Sequence, residues 1–185
     1  MNKTITSREA ILSAGKEIIS QSGIQGLNMR DVAGKCGFSV GSIYNHFPSK
    51  GDLIVAAIES VWAEIMHDSQ GCNPQYNFAE NILSLFNNIQ KGCKKYPSFF
   101  SAHSISVATL DKSKGREVMN RYFDHIKNGL LESLHHDQNI RKNAFTNQFA
   151  KPDFVEFVFS NVIALLAEEA KSCDFLLEIV NRVIY

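Results

Sequence analysis

Apolar residues recur at helical spacing along nearly the whole chain. In 8–22, Ile11, Ala14, Ile18 and Ile19 share one face, Ser7 is placed to cap the start, and Gly23 and Gly26 end the run. In 28–50 the pattern predicts two short helices around a tight turn. Asn28 caps the first, which carries Val32, Ala33 and Cys36; Gly37 supplies a left-handed residue at its end; Phe38 plugs the core; Ser39 caps a second helix over 40–45. The three helices predict a small bundle around Ile11, Ile18, Val32, Ile43 and Phe47.

Ser49 opens a further helix over Lys50–His67, whose wide apolar stripe includes Leu53, Ala57, Val61 and Trp62. Helices are predicted over 78–96, with Ile82, Leu85, Phe86 and Ile89 inward, and over 116–136, with a charged turn at 111–115 before it and a polar surface loop at 137–150 after it. Two helices close the chain, over 152–170 and 174–185. The first is apolar almost all round, which predicts burial on every side and therefore a partner chain. A twofold homodimer is expected through Phe154, Val155, Val158, Val162, Leu166, Leu176, Val180 and Val183, as a four-helix interface of about 2,000 Å² or more. No strand pattern, internal repeat or low-complexity tract appears.

Two helices joined by a glycine-containing turn fit a helix-turn-helix, in which the second helix enters the major groove. Gly41 would let the backbone approach DNA closely, Ser42, Tyr44, Asn45 and His46 are polar or amphipathic, and Ile43 and Phe47 are the core anchors. An ordinary helical hairpin with a polar outer face fits the same residues.

The order and spacing of Val32-Ala33, Gly37, Ser39-Val40-Gly41, Tyr44 to Lys50 and Leu53 resemble the DNA-binding signature of the TetR family of transcriptional regulators, over roughly residues 7–55. Gly34 inside the first motif helix, Cys36 in place of the usual Ala, and Gly51 in place of an acidic residue depart from that pattern. The resemblance implies an all-α protein with a three-helix DNA-binding head at 1–47 and a ligand-binding, dimerising helical body at 48–185. It implies DNA contacts from Val40, Gly41, Ser42, Tyr44, Asn45, His46 and Lys50, and Asn28, Arg30 and Ser39 beside them are further candidates. The expected partners are double-stranded operator DNA, a second copy of the chain, and a small, largely apolar effector that relieves repression.

Formal net charge is zero, from 19 Lys+Arg and 19 Asp+Glu, but residues 1–50 hold a basic excess and the remainder an acidic one. A basic end suits phosphate contact. Aromatic residues suggest an apolar cavity lined by Phe86, Phe99, Phe100, His103, Tyr122, Phe123 and Phe157, with His103 or Tyr122 as polar anchor; ordinary core packing explains them equally well. The four cysteines form no C-x-x-C pair, His135-His136 point too far apart to share a metal, and no G-x-S-x-G, H-E-x-x-H or phosphate loop appears. No metal, cofactor or catalytic role is expected, and the rival class is a helical enzyme or interaction module whose hairpin is scaffolding. With no long apolar run at the N-terminus or elsewhere, neither a signal peptide nor a membrane span is expected, and the chain reads as cytoplasmic.

Overall fold

The computed structural model describes residues 7–67, 72–96 and 112–185, and among these the chain is all-α. Among the described residues eight α-helices follow one another: α1 Arg8–Ser22, α2 Met29–Cys36, α3 Val40–His46, α4 Lys50–His67, α5 Phe78–Lys95, α6 Lys112–His136, α7 Lys151–Ala167 and α8 Asp174–Ile184. A 3₁₀ turn, Ile24–Gly26, lies between α1 and α2.

The described residues within 1–64 and 93–120 form one compact unit, and those within 65–92 and 121–185 form another. In the first, Ser7 Oγ accepts the Ala10 N–H at 3.0 Å to start α1, and Gly23, at φ +69°, ends it. Ile11, Val32, Ile43 and Phe47 are at most 2% exposed and Ile18 is buried, so the predicted bundle core holds. Phe38 is only half-buried. α4 packs Leu53, Ala57, Val61 and Trp62 with no exposure, and the Trp62 indole N–H donates to the Met119 sulfur at 2.9 Å.

In the second unit, α5 begins with a reciprocal cap. Asn77 Oδ1 accepts the Glu80 N–H at 2.8 Å, and the Glu80 carboxylate accepts the Asn77 N–H at 2.8 Å. The helix after 110 starts at Lys112, so 112–115 are helical rather than a turn. Gly115 costs about 1 kcal/mol there against Ala, a cost that a 25-residue helix tolerates. α7 stops at Ala167, and Glu169 at φ 55° marks the break.

The residues expected at a dimer interface are placed differently. Phe154, Val155, Val158, Val162, Leu166, Leu176 and Val180 are all buried inside the single chain, and Val183 is half-buried. The 137–150 segment covers the start of α7: the rings of Phe145 and Phe149 lie 5.7 and 5.4 Å from that of Phe154, with Phe78 at 6.0 Å. This segment is therefore not a plain surface loop, and Ala144 within it is buried. Asp153, Glu156 and Ser160 give α7 an outward polar face, interrupted by Phe157 at 49% exposure. Phe175 of α8 is 80% exposed.

Candidate functional site

α2 and α3 are held by local hydrogen bonds that their sequences specify. Asn28 Oδ1 accepts the Arg30 and Asp31 N–H groups at 3.1 and 3.0 Å, and its amide donates to Asp31 Oδ2 at 2.6 Å. Gly37 takes the left-handed conformation, φ 69° and ψ 27°, which turns the chain out of α2 and lets the Phe38 N–H reach the Ala33 carbonyl at 2.9 Å. Ser39 Oγ accepts the Ser42 N–H at 3.1 Å and starts α3.

Ile43 and Phe47 then fix the roll of α3, because both are buried. That roll leaves Gly41, Tyr44, Asn45 and His46 on the exposed side, with Val40 and Ser42 half-buried beside them. Tyr44 is 49% exposed, a large ring presented to solvent. A Cβ on Gly41 would have only Ser39 Oγ near it, at 3.8 Å, so the space above that glycine is open. Arg30 and Lys50 are exposed, whereas Lys35 pairs with Glu17 at 2.8 Å. Asn28 is thus engaged by the fold through both ends of its amide, and Ser39 through its hydroxyl. The remaining residues expected at DNA are presented outward or half-outward.

The residues expected to line an apolar cavity do not come together as one. Phe86 is buried in the core at 1% exposure, Phe157 faces outward, and Phe123 packs edge-on against Phe159 with ring centres 5.1 Å apart. Tyr122 is half-buried. Phe99, Phe100 and His103 lie outside the described residues. Instead, a cavity of about 490 Å³ opens between 72–77, α5 and α6. Its lining includes the polar side chains Asn73, Ser84, Asn88, His125 and Asn128, although most of the surface it presents is apolar. The sequence pattern does not predict it, although Asn81, Ser84 and Asn88 form a polar stripe at helical spacing.

The thiols are poor candidates for metal or redox chemistry. Burial, then the Glu132 charge, pushes Cys72 up to about 11, and burial, then Asp174, does the same to Cys173. Cys36 is also raised, by burial and then Glu17. All three stay protonated near neutrality. Among the described residues no group of three or more His, Cys, Asp or Glu is arranged to hold a metal, and no helix is long and apolar enough to cross a membrane.

A family model described as bacterial regulatory proteins, tetR family, matches residues 11–57. The HTH-type transcriptional repressor KstR of Mycobacterium tuberculosis is 38% identical over 173 residues, covering 90% of this chain and 74% of that protein. KstR of Rhodococcus jostii is 31% identical over 112 residues, 60% of this chain, so the chain spans about half (52%) of that relative's length. A crystal structure of a transcriptional regulator from Rhodococcus sp. Rha1 covers 96% of both chains with a TM-score of 0.71 at 16% identity, which shows a shared fold. The hairpin at α2 and α3, the match of the family model to it, and the 38% identity that continues through the body make this chain a member of the TetR family of bacterial regulatory proteins.

Proposed function

We propose that the chain is a DNA-binding transcriptional repressor that acts in the cytoplasm as a homodimer and leaves its operator when a small molecule binds. DNA contact belongs to 1–47 together with Lys50, and 48–185 carries effector binding and dimerisation. The observation that carries the reading is the roll of α3: Ile43 and Phe47 buried, with Gly41, Tyr44, Asn45 and His46 outward. A helix pinned on one side and polar on the other is what insertion into a major groove requires. Family membership and the repressor names of two relatives support the sign of regulation. Arg30, Tyr44, His46 and Lys50 serve phosphates, and the α3 face around Gly41, Ser42 and Asn45 serves base edges.

A second copy is needed because one short helix reads only a few base pairs, and two heads must meet half-sites about 34–36 Å apart or a multiple of it. The outward apolar residues Phe157 and Phe175 provide the interface that the buried faces of α7 and α8 cannot. The effector acts by binding more tightly to a conformation whose head spacing misfits DNA.

Selection of genomic fragments by the purified protein, followed by anisotropy titration of the recovered duplexes at several salt concentrations, tests this. Tight binding to a palindromic site is expected, with log K falling linearly in log salt. Lys50→Ala should weaken all duplexes alike and lessen the slope by about one. Failure to retain any duplex at low salt overturns the repressor reading.

A further inference from the structure

The cavity beside α5 has a chemistry of its own. Its volume, about 490 Å³, lies in the range of small-molecule sites. Ser84 and Asn88 line it from α5, at i and i+4. His125, Asn128 and Ser133 line it from α6. Its floor is apolar: Leu85, Ile126 and Leu130 are 8%, 5% and 0% exposed.

The walls are pre-formed by Asn81, the one polar residue among the described residues that is fully buried, at 3% exposure. Its amide donates to the Asn73 carbonyl at 3.1 Å and to Ser133 Oγ at 2.8 Å, while its oxygen accepts the Asn73 N–H at 2.8 Å. One side chain therefore pins 72–77 to both α5 and α6. A cleft held open this way loses little entropy on binding. Cys72 closes the far side against Gly129, where a Cβ would lie 3.5 Å from its sulfur.

Charge restricts what can enter. No Lys or Arg lines the cleft, and its two carboxylates are Glu132 and Asp137. Asp137 is already engaged, accepting from the Phe78 and Asn139 N–H groups and from the Tyr185 hydroxyl. Glu132 is left as an exposed acceptor. Phosphates and carboxylates would meet repulsion from Glu132 and Asp137, with only the imidazoles of His125 and His136 to oppose it. Carboxamides and hydroxyls both donate and accept, as ligand hydroxyls do. Tyr76, 46% exposed at the mouth, and the apolar floor offer surfaces to the C–H faces of a ring.

We infer that this cleft binds a neutral polyhydroxylated molecule of sugar size, with Asn88, Asn128, Ser84 and Glu132 making its hydrogen bonds and Leu85 and Ile126 its apolar contact. The binding stands on the cleft alone; only its use as the effector signal rests on the repressor reading. The test titrates the intact protein with glucose, galactose, mannose, maltose and myo-inositol, and separately with glucuronate and glucose 6-phosphate, reading thermal unfolding. A neutral compound should raise Tm saturably, by about 3 °C at ten times its dissociation constant. Ser84→Phe, which fills the cleft, should remove the shift, and Asn88→Ala should weaken binding about tenfold, each with wild-type helicity by circular dichroism. The inference is overturned if no neutral compound shifts Tm, if an anionic counterpart binds more tightly, or if the shift survives both substitutions. Anisotropy with operator duplex on the same samples, without sugar, reports on the repressor reading separately.

Discussion

Lys16 on α1 donates to Glu64 on α4 at 2.5 Å, across 48 residues of sequence. The other Glu64 oxygen accepts from Lys95 and from the Tyr96 hydroxyl, at 3.1 Å for the latter, and Ser20 on α1 donates to the Lys95 carbonyl at 2.7 Å. One carboxylate thus gathers α1, α4 and the end of α5. Nothing in the local pattern of any of these helices announces it.

Burial pushes the Glu64 carboxyl up, but the hydrogen bonds from Lys16, Lys95 and Tyr96 outweigh it and lower the group from 4.5 to about 2. A depressed carboxylate stabilises the fold fully above its unfolded value, and that contribution is lost as pH falls through the folded one. Stability should therefore drop between about pH 4.5 and 2. Glu64→Gln should lower unfolding free energy by about 1–2 kcal/mol at pH 7 and flatten the acid dependence. Urea titrations of both proteins from pH 7 to 3 check this; parallel pH profiles would refute it.

The two glycines of the α2 region should respond in opposite directions. Gly37 sits at φ +69°, so Gly37→Ala should cost about 1 kcal/mol. Gly34 lies inside the helix, and a Cβ added there would meet nothing within 4 Å, so Gly34→Ala should stabilise by about 0.5–1 kcal/mol. Thermal denaturation of the two variants side by side decides the matter.

Gly41 tests the face of α3. Only Ser39 Oγ approaches a Cβ there, at 3.8 Å, so Gly41→Leu should fold normally, with no loss of Tm. On the proposed geometry the leucine stands between α3 and the groove, and operator affinity should fall by about a hundredfold or more in anisotropy titrations. Normal affinity would move the DNA-facing surface elsewhere.

For the dimer, exposure separates two kinds of substitution. Phe157→Asp with Phe175→Asp changes outward residues and should give folded monomers by sedimentation velocity. Val162→Asp puts a charge where the side chain has no exposure and should unfold the chain, at a cost of several kcal/mol. Dimers from the double variant would place the interface away from these two rings.

The head is legible in the sequence because its devices act within a few residues. Asn28 and Ser39 cap the next turn, Gly37 reverses the chain where only glycine is at ease, and Ile43 and Phe47 fix one face by spacing alone. The apolar circumference of α7 is equally visible, but not what covers it. At Phe154 that is decided by Phe145 and Phe149 folding back from 137–150, and such a return depends on distance in space rather than on period. The same holds for Glu64, whose partners are 48 and 31 residues away, and for the polar cleft. Asn81, Ser84 and Asn88 share a polar stripe by spacing, but that the stripe borders a cleft follows only from 72–77 and α6 lying against it. Periodicity determines which face of a helix is apolar or polar; only tertiary packing determines whether that face meets core, solvent, a ligand or a second chain.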